Sequence, residues 1–115
     1  MIPNFIMKKL IINFSKFLFF LIFFMHVFNQ ANSDEIYEKG RIIFLEKGNC
    51  AACHALSDAE SDSNIGPNLN QIRPDINRVI MAVTNGIGIM PAYQGELTPE
   101  EIEAVGHYVS ISSEN

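Results

Sequence analysis

The stretch Cys50-Ala51-Ala52-Cys53-His54 decides how this chain is read. Two thiols three positions apart sit on one turn of backbone, and a histidine follows at once. This is the pattern at which haem is attached covalently. Each thiol can add to one vinyl group of the macrocycle, and the imidazole can then ligate the iron. Two other readings use the same residues. The cysteines could form a redox disulfide, whose usual strand-helix-strand setting the neighbouring sequence does not show. They could also be half of a zinc site, but structural zinc takes four ligands, and the only other histidines are His26 and His107.

Upstream of the motif, the pattern predicts a helix over residues 34–47. Ser33 or Asp34 can cap it, and Asp34 and Glu35 suit its positive end. Ile36, Gly40, Ile43, Phe44 and Lys47 fall on one stripe at helical spacing. Gly40 costs such a helix about 1 kcal/mol relative to Ala, so a close approach by another helix is expected there. Gly48-Asn49 ends the element and the motif follows.

Further upstream the composition changes. Lys8, Lys9 and Lys16 are basic, no acid precedes Asp34, and Phe17 to Phe28 is apolar apart from His26. Those 12 residues have the length of a signal-peptide core rather than of a comfortable membrane span, and Ala31-Asn32-Ser33 offers small residues for cleavage. Residues 1–33 are therefore expected to be a cleaved signal peptide, and a membrane role follows only if the leader is kept as an anchor. The remaining residues, 34–115, form one domain of 82 residues. They hold all 13 acids and five of the eight basic residues, a net charge of −8. Such a charge disfavours nucleic acid and anionic membranes as partners and suits a partner protein with a basic docking patch. A domain this small buries little surface alone and has too few cysteines for a disulfide framework. A covalently held haem would supply both staple and core.

Downstream, residues 57–64 are polar and acidic and read as a surface loop with no core contribution. Asp58, Glu60 and Asp62 lack the glycine and terminal glutamate of a calcium loop. Ile65-Gly66-Pro67-Asn68-Leu69 reads either as a plain turn or as a support for the motif. In the second reading the Pro67 carbonyl accepts the free N–H of His54, and Leu69 packs on the haem face. Pro74 is placed to open a helix carrying Ile76, Val79, Ile80 and Val83 at i, i+3, i+4, i+7, with Gly86 to stop it. Residues 86–95 hold three glycines and a proline and must be a loop. Met90 lies on it, 36 residues after His54, where its thioether can serve as the second iron ligand. Thr98-Pro99-Glu100-Glu101 is a capping box opening a last helix, with Ile102, Val105 and Val109 inward and Gly106 allowing close packing. That helix is expected to cross the first near Gly40 and Phe44. His107 reads as surface or interhelix packing.

Taken together, Cys50-x-x-Cys53-His54, Gly66-Pro67-Asn68-Leu69, Met90-Pro91 and an amphipathic helix at each end resemble the class I c-type cytochromes over all of residues 34–115. The resemblance implies an all-α fold, the class I cytochrome c fold, with three main helices around one covalently bound haem c. It implies thioethers at Cys50 and Cys53, axial ligands His54 and Met90, and single-electron transfer between redox partner proteins in the periplasm rather than catalysis on a substrate. The family's frequent Trp contact to a haem propionate is missing, since the chain has no Trp. Arg73 and Tyr93 stand as replacements. Residues 85–93 are similar to the cytochrome subunits of bacterial sulfite dehydrogenases and to small periplasmic carriers. A tightly bound haem subunit of such a dehydrogenase is therefore the alternative, with a haem peroxidase or gas-binding protein behind it.

Overall fold

The computed structural model describes residues 2–115. Met1, the first residue of the expected leader, lies outside the described residues. So do the side chains of residues 27–31, among them Phe28 and Ala31 of the apolar run and cleavage site. The chain divides into two compact units, Met1–Ser33 and Asp34–Asn115. Helix α1 runs Asn4–Ile42. Within the first unit its described apolar side chains are exposed, among them Phe5, Phe14 and Phe19. Among the described residues, no helix is long and apolar enough to cross a membrane.

The second unit is built from the end of α1, a short ribbon of β1 (Ala55–Leu56) and β2 (Ser61–Asp62), and helices α2 (Leu69–Ile72), α3 (Ile76–Asn85) and α4 (Pro99–Ser112). Its core joins Ile43 and Phe44 to Leu56, Leu69, Val79, Val83 and the inner face of α4. The spacing predicts one helix over 34–47, but the α-helix ends at Ile42. Ile43–Lys47 form a π-helical turn, closed by the Gly48 N–H donating to the Ile43 carbonyl at 2.7 Å. Such one-turn bulges mark places where the chain must be re-aimed, and here the cysteines follow. Asn49 then takes the left-handed conformation (φ 49°), one residue later than Gly48 would suggest. Asn is among the few residues that visit this region readily. On the buried stripe of α1, Tyr37 replaces Ile36. Ile36 is exposed, while Tyr37 packs edge-on against Tyr108 with ring centroids 5.0 Å apart.

Gly40 behaves as its cost requires. A Cβ there would lie 2.1 Å from the Ala104 carbonyl oxygen and 2.6 Å from Tyr108 Cβ, so only glycine lets α1 and α4 meet. Gly106 does the same for α3, since its Cβ would come within 2.9 Å of Ile80 Cγ1. Helix α4 opens with the expected capping box: Thr98 Oγ1 accepts from Glu101 N (3.2 Å), and Glu101 Oε2 accepts from Thr98 N (2.9 Å). Glu101 also holds Lys47 in a 2.6 Å ion pair, tying the π turn to the start of α4.

Two further expectations about this unit fail. Residues 57–64 do contribute to the core. Ala59 is buried beside Leu56, β1 and β2 pair antiparallel, and Asp58 accepts the Tyr108 hydroxyl at 2.7 Å. The polar composition of this segment hides that its one apolar residue points inward and that its acid satisfies a buried phenol. Pro74, in turn, does not open α3. Asp75 is the cap, accepting from Arg78 N at 3.0 Å, and Pro74 lies before it. An aspartate side chain satisfies a free helix N–H, so the helix starts after it.

Candidate haem site

The second unit encloses a cavity of about 400 Å³. Its walls come from every segment that the motifs single out: Cys50, Cys53, His54, Pro67, Leu69 and Met90 all line it. Apolar side chains make up most of the rest, with Phe44 and Val79, Val83, Val105 and Val109 among them. Arg78 is the one Asp, Glu, Lys or Arg on the described lining, and nothing in the sequence pattern marks it out. Arg73 does not line the cavity. Its Nε donates instead to the Asn70 carbonyl at 3.3 Å. Tyr93 does line it, with its hydroxyl donating to the Gly48 carbonyl at 2.9 Å. His107 is absent from these walls, and its Nε2 is buried without a hydrogen-bond partner.

His54 is set by the backbone around it. Its N–H and that of Cys53 both donate to the Cys50 carbonyl, at 3.0 and 3.1 Å, which curls the motif into a single turn. The Gly66 N–H donates to the Cys53 carbonyl at 2.7 Å and brings the next segment under the imidazole. Gly66 is required there, because a Cβ would lie 2.6 Å from His54 Cε1. Sequence reasoning gives roles in this segment to Pro67 and Leu69 and none of its own to this glycine, whose role depends on the ring it faces. His54 Nδ1 then sits 2.8 Å from the Pro67 carbonyl oxygen. A carbonyl can only accept, so Nδ1 is the donor, which leaves Nε2 as the nitrogen that can meet a metal.

The donor set fits a haem. Both thiols are free. Cys50, Cys53 and His54 all line the same largely apolar cavity. Burial pushes the Cys50 thiol up to about 11, so at neutral pH it is a protonated thiol beside an apolar space. A flat apolar macrocycle with a cationic metal needs such walls, one lone pair and two thiols. The described site offers all three, and Met90 offers a thioether as well.

The helical frame and this site define a monohaem class I c-type cytochrome. A family model described as "Cytochrome C oxidase, cbb3-type, subunit III" matches residues 35–109. The chain belongs to this family of cytochrome c domains, whose cofactor is covalently bound haem c and whose members carry electrons. It is similar to cytochrome c6 of Pyropia yezoensis, 34% identical over 93% of this chain and 96% of the relative. Among solved structures it is similar to the c-type cytochrome SorU from Sinorhizobium meliloti, with 52% identity and a TM-score of 0.66, covering 70% of this chain and 93% of that one. It also resembles part of the cbb3-type cytochrome c oxidase subunit FixP of a Bradyrhizobium species, 40% identical over 61% of this chain and 25% of that subunit.

Proposed function

We propose that this chain is exported to the periplasm, loses residues 1–33, and carries single electrons between partner proteins on one haem. In this reading Cys50 and Cys53 would hold the haem through thioethers, and His54 and Met90 would ligate its iron. Bound there, the haem supplies a one-electron ferric–ferrous couple. The protein's part is to hold the imidazole in one tautomer, offer a thioether, keep water from the apolar walls and present a surface to partners. The observation that carries the reading is the 2.8 Å bond from His54 Nδ1 to the Pro67 carbonyl, made in the wall that also holds both cysteines and Met90. A pyridine haemochrome spectrum of the purified protein tests it. A spectrum of two saturated thioether links supports the reading, and a haem-free, folded product sinks it.

Export with cleavage after Ser33 is supported by the basic start, the apolar run and the division of the chain at that residue. Mass spectrometry of protein from the periplasm distinguishes residues 34–115 from a longer, membrane-held form. A partner with a basic docking patch is supported by the net charge of −8 on residues 34–115. A second reading, a haem subunit held permanently in an oxidoreductase, is favoured by the likeness to an oxidase subunit. The native size of the protein in a mild extract separates the two.

A further inference from the structure

The loop from Gly86 to Leu97 is attached to the rest of the second unit in an uneven way. At its base, Gly86 N donates to the Ala82 carbonyl and Tyr93 N to the Val83 carbonyl, both near 2.8 Å, so both bonds run to the end of α3. Ile87 and Met90 exchange two bonds with each other, at 3.2 and 2.9 Å, and close a tight turn through Gly88 (φ 57°). Those bonds shape the loop but do not hold it against the cysteine-bearing segment. Among the described residues one hydrogen bond does that: the Tyr93 hydroxyl donating to the Gly48 carbonyl at 2.9 Å.

Burial points to the same pair. Of residues 87–96, only Met90 and Tyr93 are not exposed, and Ile89 between the turn residues is 87% exposed. Between its ends, Gly86 and the buried Leu97, the loop therefore has two inward anchors, and Met90 is one of them. Gly48, which receives the phenol, is buried and fixed by its own bond to Ile43. A Cβ on it would lie 3.1 Å from Cys50 Sγ, so the acceptor sits beside the attachment cysteine. Pro91 and Ala92 alone separate Met90 from Tyr93, and the proline ring fixes one of the intervening dihedrals. A restraint at Tyr93 is thus passed to Met90 through a short, stiff link.

We propose that Tyr93 is a positioning residue. Through its bond to the Gly48 carbonyl, it ties the Met90 loop to the cysteine-bearing segment and so keeps the Met90 thioether on the iron. This rests on the reading of Met90 as an axial ligand. The test uses the holoprotein and imidazole as competing ligand, followed by loss of the weak red band of ferric iron with thioether ligation. Tyr93→Phe keeps the ring and removes the bond. It should bind imidazole on the order of fivefold more tightly, the value of one ordinary net hydrogen bond. Tyr108→Phe serves as the comparison. It removes a similar phenol bond, to Asp58, at a residue that does not line the cavity, so it should lower thermal stability and leave imidazole affinity unchanged. An unshifted Tyr93→Phe, an equal shift in both variants, or a Tyr93→Phe that accumulates no haem protein would each overturn the positioning role. Wild-type protein that lacks the red band sinks the Met90 assignment itself. With the band present, only the role of Tyr93 is at stake.

Discussion

The cysteine-bearing segment and the methionine loop line the same cavity but are held in different ways. Around the cysteines, backbone and side chains bond at almost every step. Ala52, Cys53 and His54 donate back into the turn, Ser63 Oγ donates to the Ala52 carbonyl, Gly66 to Cys53, and the imidazole to Pro67. Across residues 87–96 the backbone bonds run within the loop or back to the end of α3, one side-chain bond reaches the cysteine-bearing segment, and most side chains are exposed. Regions with few buried contacts open at lower free energy than the whole fold. The imidazole is over-determined and the thioether is held lightly, so disturbance should reach the methionine side first.

The largest test of that contrast is Cys50→Ala or Cys53→Ala. Either removes a covalent tether on the well-held side, and an 82-residue unit without its central group is marginal, so little folded haem protein should accumulate on a haem-stained gel. A stable haem-free fold would break the comparison outright. Met90→Ala comes next. The protein should still attach haem but lose the red band, fall in reduction potential and bind carbon monoxide readily, as spectroscopic titration would show. If wild-type protein already binds carbon monoxide fast, the methionine side is open, not lightly held. Gly66→Ala probes the imidazole without touching a ligand. Its Cβ would press on His54 at 2.6 Å, and the expected loss is about 1–3 kcal/mol with faster exchange of the Nδ1 proton by NMR. Thr98→Ala removes the α4 cap and should cost about 1 kcal/mol in denaturant unfolding while leaving the visible spectrum alone.

The smallest expected effect is a slope. Tyr37 is pushed up to about 12 and Tyr108 higher still, in each case first by burial and then by the Asp58 carboxylate. Both phenols therefore hold their protons more tightly folded than unfolded, where the value is about 10. Their contribution is complete below about pH 10 and is lost as pH rises from there through the folded values. Denaturant midpoints should fall over that window, and Tyr108→Phe should flatten the fall.

Much of this frame was legible because its signals are local. The attachment pattern, the capping box at Thr98 and the glycine at the crossing each depend on spacing within a few residues, and the structure shows the box and the crossing as read. What escaped depends on partners far along the chain. Asp58 looks like solvent charge until Tyr108, 50 residues later, is placed beside it. Arg78 is an ordinary helix residue until the cavity forms around it, while Arg73, the more conspicuous arginine, turns to its own backbone. The π turn is a compromise between helix continuation and the aim of the next segment, and no propensity announces it.

Gly40 and Ala104 stand 64 residues apart, so their contact closes a ring of chain that contains both cysteines, the Pro67 turn and the whole methionine loop. Closing so long a ring costs roughly 4 kcal/mol of chain entropy from the logarithmic term alone. Nothing inside the short turn at residues 49–54 demands that closure, since the backbone bonds within it join residues three or four apart. Chain entropy therefore favours an order of assembly that runs from the local to the distant. The turn that presents two thiols and an imidazole needs no distant partner for its own bonds, and the helix crossing is the seam that shuts the pocket.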